Sequence, residues 1–231
     1  LSAVVAIACL VGINSQSVRA EESSDLTVGF STDLNSDYMF RGFNLYDGIS
    51  IQPSLDLNYS LGEMGNVGAN VWAHLSGEGS RGASEKFTEV DYTAHWDIAF
   101  GDWAFSLGHV WYTYPRDSDG IEDTAEVFAS IAYDAPLSPY VEVYHDYDLF
   151  DAQYYELGMS YAMEECPLFG KHTPYVAVGF ASNAEKVYDD NGVTHVAVGT
   201  NFEFTSGRFT IAPNINYNFK VDDATENEFW V

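Results

Sequence analysis

Leu-Thr-Val-Gly-Phe-Ser-Thr-Asp-Leu-Asn-Ser-Asp-Tyr-Met-Phe, residues 26–40, alternates along its whole length. Leu26, Val28, Phe30, Leu34, Tyr38 and Phe40 fall on one parity, and Thr27, Gly29, Ser31, Asp33, Asn35 and Asp37 fall on the other. A period of two describes a strand with one apolar and one polar face. After a Gly-containing turn the pattern resumes, with Ile49, Ile51, Pro53, Leu55, Leu57, Tyr59 and Leu61 set against Ser50, Gln52, Ser54, Asp56, Asn58 and Ser60. It recurs to the end of the chain, giving about twelve strands of the length that crosses a bilayer when tilted. No helical periodicity competes with it.

Composition narrows the partners. The chain has 231 residues, 35 of them Asp or Glu and 9 Lys or Arg, for a formal net charge of -26. That imbalance excludes nucleic acid and makes anionic surfaces poor partners unless cations bridge them. Residues 1–20 hold the apolar run Val4–Gly12 and then Val18-Arg19-Ala20 before two glutamates, which reads as a secretory signal and its small-residue cleavage site. Residues 21–231 are then one domain, with a last strand expected to be cut short and to pair weakly with the first. Beyond that leader one cysteine remains, Cys166, so no internal disulfide is expected. No later stretch has the apolar length of a spanning helix, so a membrane could be crossed only by strands.

Two further observations turn the apolar face outward. Short links (62–66, 101–102, 134–138, 205–208) alternate with longer acidic ones (77–86, 115–124, 148–153, 183–193, 221–227), the pattern of periplasmic turns and extracellular loops. The link 164–173 breaks the rule by its length. Aromatic residues gather at strand ends, at Tyr38, Phe40, Tyr59, Phe100, Trp103, Trp111, Tyr133, Tyr147, Phe204, Phe209 and Phe219, as interfacial girdles do. A soluble sandwich or lipocalin-like barrel would bury this face instead, with shorter or fewer strands. The expected fold is therefore all-β: a closed, antiparallel, up-and-down transmembrane β-barrel in the outer membrane of a Gram-negative bacterium. Closure follows because hydrocarbon offers no partner to an open sheet edge.

The segment Ser36-Asp37-Tyr38-Met39-Phe40-Arg41-Gly42, followed by Asp47-Gly48, resembles the opening motif of the TorF-type family of porins. These are small Gram-negative outer-membrane barrels of unassigned cargo. The resemblance extends more weakly over the strand layout and the Tyr-rich middle (Tyr140, Tyr144, Tyr147, Tyr154, Tyr155), and departs at Asn44-Leu45-Tyr46 and at Pro53. It implies a porin fold and leaves the solute open.

With the apolar face outward, the other parity lines a lumen. Its candidate residues are Asp33, Asp37, Arg41, Asp56, His74, Glu89, Asp91, His95, Asp97, Glu126, Glu142, Asp146, Glu156, Glu203 and Lys220. Rings of carboxylates favour cations, so the expectation is a passive channel for small polar or cationic solutes and not an enzyme. Arg41, four residues after Asp37, is expected to bridge lumenal carboxylates with its guanidinium fork. Two alternatives stand beside the channel. One is a barrel enzyme, a metal-dependent or His/Asp hydrolase, using His95 and Asp97 at the extracellular end; no serine with a histidine partner is evident for it. The other is a structural or adhesion barrel with a plugged lumen. No cofactor or dedicated metal site is expected, although acidic loop residues such as Asp117, Asp119, Glu122, Asp123, Asp222, Asp223, Glu226 and Glu228 could take Ca2+ or Mg2+. Expected partners are outer-membrane lipid and lipopolysaccharide, the permeating solutes, and the barrel-assembly machinery.

Overall fold

The computed structural model describes residues 25–77, 87–115, 122–163, 171–206 and 209–231. The expected leader, Cys166, Asp117 and Asp119, and parts of the links 77–86, 115–124, 164–173 and 205–208 lie outside these residues. Among the described residues the strands follow one another with only a short 3-10 turn, Gly62–Met64, after the second: β1 (Leu26–Phe40), β2 (Phe43–Ser60), β3 (Asn66–Ser76), β4 (Phe87–Phe100), β5 (Trp103–Thr113), β6 (Thr124–Tyr133) and β7 (Tyr140–Asp146). Next come β8 (Gln153–Ser160), β9 (His172–Ser182), β10 (Gly192–Phe202), β11 (Phe204–Ser206), β12 (Phe209–Ile211), β13 (Asn214–Lys220) and β14 (Glu228–Trp230). Twelve of them form one antiparallel meander in the order β1 to β10, then β13 and β14.

The sheet curls into a nearly closed barrel. At the seam the Ser36 N–H donates to the Val231 carbonyl at 2.8 Å, and the Val231 N–H donates to Ser36 Oγ at 3.2 Å. β14 pairs with β13 over three residues, Glu228 to Trp230. One end of the barrel, the turn end, carries the links 61–65, 101–102 and 134–139; the other, the loop end, carries 41–42, 147–152, 183–191 and 221–227.

Alternation decides which way each side chain points. Phe30, Leu34, Phe100, Leu107 and Ile131 are exposed on the outside, while Ser54, Asn70, Ser106, Glu126 and Glu156 are buried on the inside. Among the described residues, buried polar side chains outnumber buried apolar ones, the reverse of a soluble core. The strand-end aromatics Tyr59, Phe100, Trp103, Trp111, Tyr147, Phe204 and Phe219 are exposed, as their parity requires.

Three departures from strict alternation have physical causes. Tyr38 and Phe40, expected outside, turn inward: Tyr38 is buried against Trp72 and His74, and Phe40 packs on the interior aromatic cluster. The β1–β2 register shifts twice, between Asn35 and Asp37 and between Tyr38 and Met39, each time with the extra residue on β2, and these irregularities twist and bend the end of the hairpin inward. The stretch 209–219, whose alternation runs through Phe209, Ile211, Pro213, Ile215, Tyr217 and Phe219 as one strand would, is two strands, because β12 pairs with β11 in a separate ribbon and only β13 joins the barrel. Pro213 sits at that break, where it has no N–H to give a ladder.

Candidate functional site

The motif at residues 36–42 builds the site. Its bulges tip the end of the β1–β2 hairpin over the mouth at the loop end, so that the turn residues Arg41 and Gly42 project into the lumen. Arg41 has φ 49° and Gly42 φ 90°, a left-handed pair that reverses the chain within two residues. A Cβ on Gly42 would meet the His195 ring and Thr225 Cγ2 at 2.9 Å, so the tip can lie this close to β10 only with glycine there.

From this tip Arg41 reaches the far wall. Its two terminal nitrogens donate to the two oxygens of Glu126 on β6, both at 2.7 Å, in a bidentate fork. The guanidinium carbon lies 4.3 Å from the ring centre of Tyr144, 4.6 Å from Tyr154 and 4.7 Å from Phe40. Tyr112 adds a hydroxyl that donates to Glu126 Oε2 at 2.8 Å. Both ion-pair side chains are nearly inaccessible to solvent, at 12% and 8% exposure. Val110, Phe128, Ala184 and Tyr188 complete an apolar and aromatic cluster that fills the lumen at this level.

Two loops lock the tip from above. Tyr188, in the link 183–191, is buried, donates to the Arg41 carbonyl at 3.1 Å and packs on Phe43 with ring centres 4.9 Å apart. The Glu226 N–H donates to the Gly42 carbonyl at 3.0 Å. Asp222 ties the loops together, accepting from the backbone N–H groups of Asp189, Asp190 and Ala224 at 3.1, 3.0 and 2.8 Å. Partial burial works against its charge, but these amides and the nearby Lys220 ammonium outweigh it and hold the carboxyl below the usual aspartate range.

A depressed carboxyl pKa contributes stability that is complete above the unfolded value, about 3.9, and disappears as pH falls through the lowered folded value. Acidification below about pH 4 should therefore release the link 183–191, seen as lost hydrogen-exchange protection at the Asp189 and Asp190 amides after correction for intrinsic rates. Asp222→Asn should remove that pH dependence. Protection that persists to the lowest pH in the native barrel would show that Asp222 does not hold the loops.

Below Arg41 the lumen opens into a cavity of about 180 Å3. It runs from Arg41 and Gly42 to Asn201 and Asn214 near the turn end, and Asp33, Gln52, Glu142, Glu156, Tyr175 and Trp230 are among its lining residues. On the wall formed by β6, β7 and β8, tyrosine hydroxyls serve the acids. Tyr144 donates to Glu142 at 3.0 Å, and Tyr154 and Tyr140 donate to Glu156 at 3.0 and 2.7 Å. Thr124 donates to Asp146 at 2.6 Å.

The other sequence candidates spread over the whole lumen. Asp37 is buried beside Arg41's hairpin, where Ser36 and Asn44 donate to it at 2.6 and 3.3 Å, so the fork of Arg41 engages Glu126 and not Asp37. Asp56 accepts from Asn70 at 2.7 Å. His74 is buried under Tyr38 and Tyr46 and touches Thr88 Oγ1 at 2.5 Å. Glu89 and Asp91 are buried near the loop end, Glu89 being hydrogen-bonded to Tyr38 and Tyr114. Glu203 pairs with Lys171 at 3.2 Å at the turn end, and Lys220 pairs with Asp223 at 3.0 Å at the loop end, both largely solvated.

His95 and Asp97 do meet, at 2.8 Å, but not at the loop end where the hydrolase alternative needs them. Asp97 lies three residues from β4's end at the turn 101–102, and its register partner is Ser106. Ser106 Oγ donates to Asp97 Oδ1 at 2.6 Å. That hydroxyl is spent on the carboxylate and not on the imidazole, so no base activates it. Ser106 was findable from the sequence by counting outward from the tight Gly101-Asp102 turn, which fixes the hairpin register. The aromatic partners of Arg41 were also missed, although Tyr144 and Tyr154 share the parity of Glu142 and Glu156. Among the described residues no group of three or more His, Cys, Asp or Glu side chains is placed to hold a metal ion.

No curated protein matches the chain, and no solved structure does. A family model covers nearly all of it. The barrel, from before β1 to the end of β14, falls within the match at residues 19–230, and the chain belongs to the family described as "Bacterial protein of unknown function (Gcw_chp)".

Proposed function

We propose that this protein is an outer-membrane, porin-like passive channel for small polar or cationic solutes, closed at rest by the β1–β2 hairpin tip. The observation that carries the reading is the inversion of the barrel: an apolar, aromatic-ended exterior around an acidic interior that holds a cavity of about 180 Å3. Such an exterior suits hydrocarbon and its two interfaces. The loop end then faces outside the cell and the turn end faces the periplasm. Carboxylates in a narrow, low-dielectric lumen concentrate cations and repel anions.

Reversal potentials in planar bilayers under a KCl gradient test the charge preference. The expected sign is that of K+ selectivity, and an anion-selective potential sinks the reading. The plug gives a second reading, a structural barrel that never conducts, because Arg41 and its aromatic partners fill the lumen. Liposome swelling with small amines and sugars separates the two: a barrel that passes neither, even with Arg41 removed, is structural.

A further inference from the structure

The wall that receives Arg41 is built without the hairpin. Glu126, Tyr144 and Tyr154 are held by the β6–β7–β8 ladder, with Glu126 opposite Asp146 and Tyr144 opposite Tyr154. Tyr112, on β5, orients the Glu126 carboxylate. The tyrosine rings are in turn pinned by their hydroxyls on Glu142 and Glu156. Phe40 and Arg41 are the hairpin's contributions. With the tip lifted, the far wall would keep an anionic, aromatic pocket. The described lysines, Lys171, Lys186 and Lys220, stand at the two rims and cannot neutralise it.

The geometry points to this pocket as a binding site for small guanidinium-bearing cations, with Arg41 as a tethered occupant that such a cation displaces. A two-pronged carboxylate and two ring faces match a planar, weakly hydrated cation far better than a compact, strongly hydrated one. The inference deepens the channel reading and rests on it for the route by which the cation arrives. It makes displacement of Arg41 the step that couples solute binding to release of the hairpin tip.

The test uses methylguanidinium on the full barrel. Arg41→Gly suits the positive φ at that position. In planar bilayers its K+ current should be blocked by methylguanidinium at a concentration about tenfold lower than by sodium, a margin the fork and ring contacts supply. Adding Glu126→Gln should abolish the difference. Equal block by the two cations, or a preference that survives Glu126→Gln, overturns the site.

Should Arg41→Gly fail to refold, Arg41→Lys keeps a cation against Glu126 but lacks the fork. Methylguanidinium should then bind it about tenfold more tightly than the native barrel, read by intrinsic tyrosine and tryptophan fluorescence in micelles. Equal affinity overturns the site. Failure of the channel reading looks different: a barrel that binds methylguanidinium in micelles and passes no current keeps the site and loses the channel.

Discussion

Arg41→Gly should raise the open probability of the reconstituted barrel by about two orders of magnitude, the largest effect expected of any single substitution. Arg41 holds Glu126 through two hydrogen bonds of 2.7 Å in a region closed to water. Removing one partner of such a pair leaves a buried, uncompensated charge, at a cost of about 3–5 kcal/mol. That cost falls on the closed mouth alone, because a lifted tip lets water reach Glu126. A shift of about 3 kcal/mol changes a closed-to-open ratio roughly a hundredfold. Single-channel recording reads it directly. A correctly folded variant with native conductance would show that the hairpin tip is not the barrier.

Leu107→Arg is expected to cost about 2–4 kcal/mol of folding stability in vesicles, the charge of an arginine near a bilayer midplane. Leu107 is 51% exposed on the outer face, midway along β5, between Trp96 of β4 and Ala129 of β6. On a water-facing surface the same change would be worth about 0.5 kcal/mol or less. Urea unfolding from lipid vesicles, followed by the heat-modifiable gel shift, distinguishes these values. A near-neutral result would place the apolar face in water and remove the basis for a membrane barrel.

Local pattern carried the barrel and much less of its mouth. A period of two reports the face of each residue, and tight turns such as Gly101-Asp102 report register, so strand order and the inward face of the regular strands were both readable. Parity fails where register irregularities bend a hairpin, and that is why Tyr38 and Phe40, at the bent end of β1, were assigned to the outside although they pack within. The partner of Arg41 was not readable either, since Asp37 is close in sequence while Glu126 is close only after the sheet has curled. The inward fold of the link 183–191 rests on Tyr188 meeting a carbonyl across the mouth and on Asp222 accepting from the Asp189 and Asp190 amides. No periodicity announces such a contact, because it belongs to the curvature of the barrel and not to any strand.

The span between Arg41 and Glu126, 85 positions along the chain, also orders events in time. The β1–β2 hairpin is local and closes its loop cheaply, whereas the wall that receives its tip requires β5 to β8 to be in place. A barrel growing strand by strand therefore passes through an intermediate with its mouth uncovered and Arg41 still hydrated. The latch can engage only after β5 to β8 have formed, and a chain stalled before that point has no cover over its mouth.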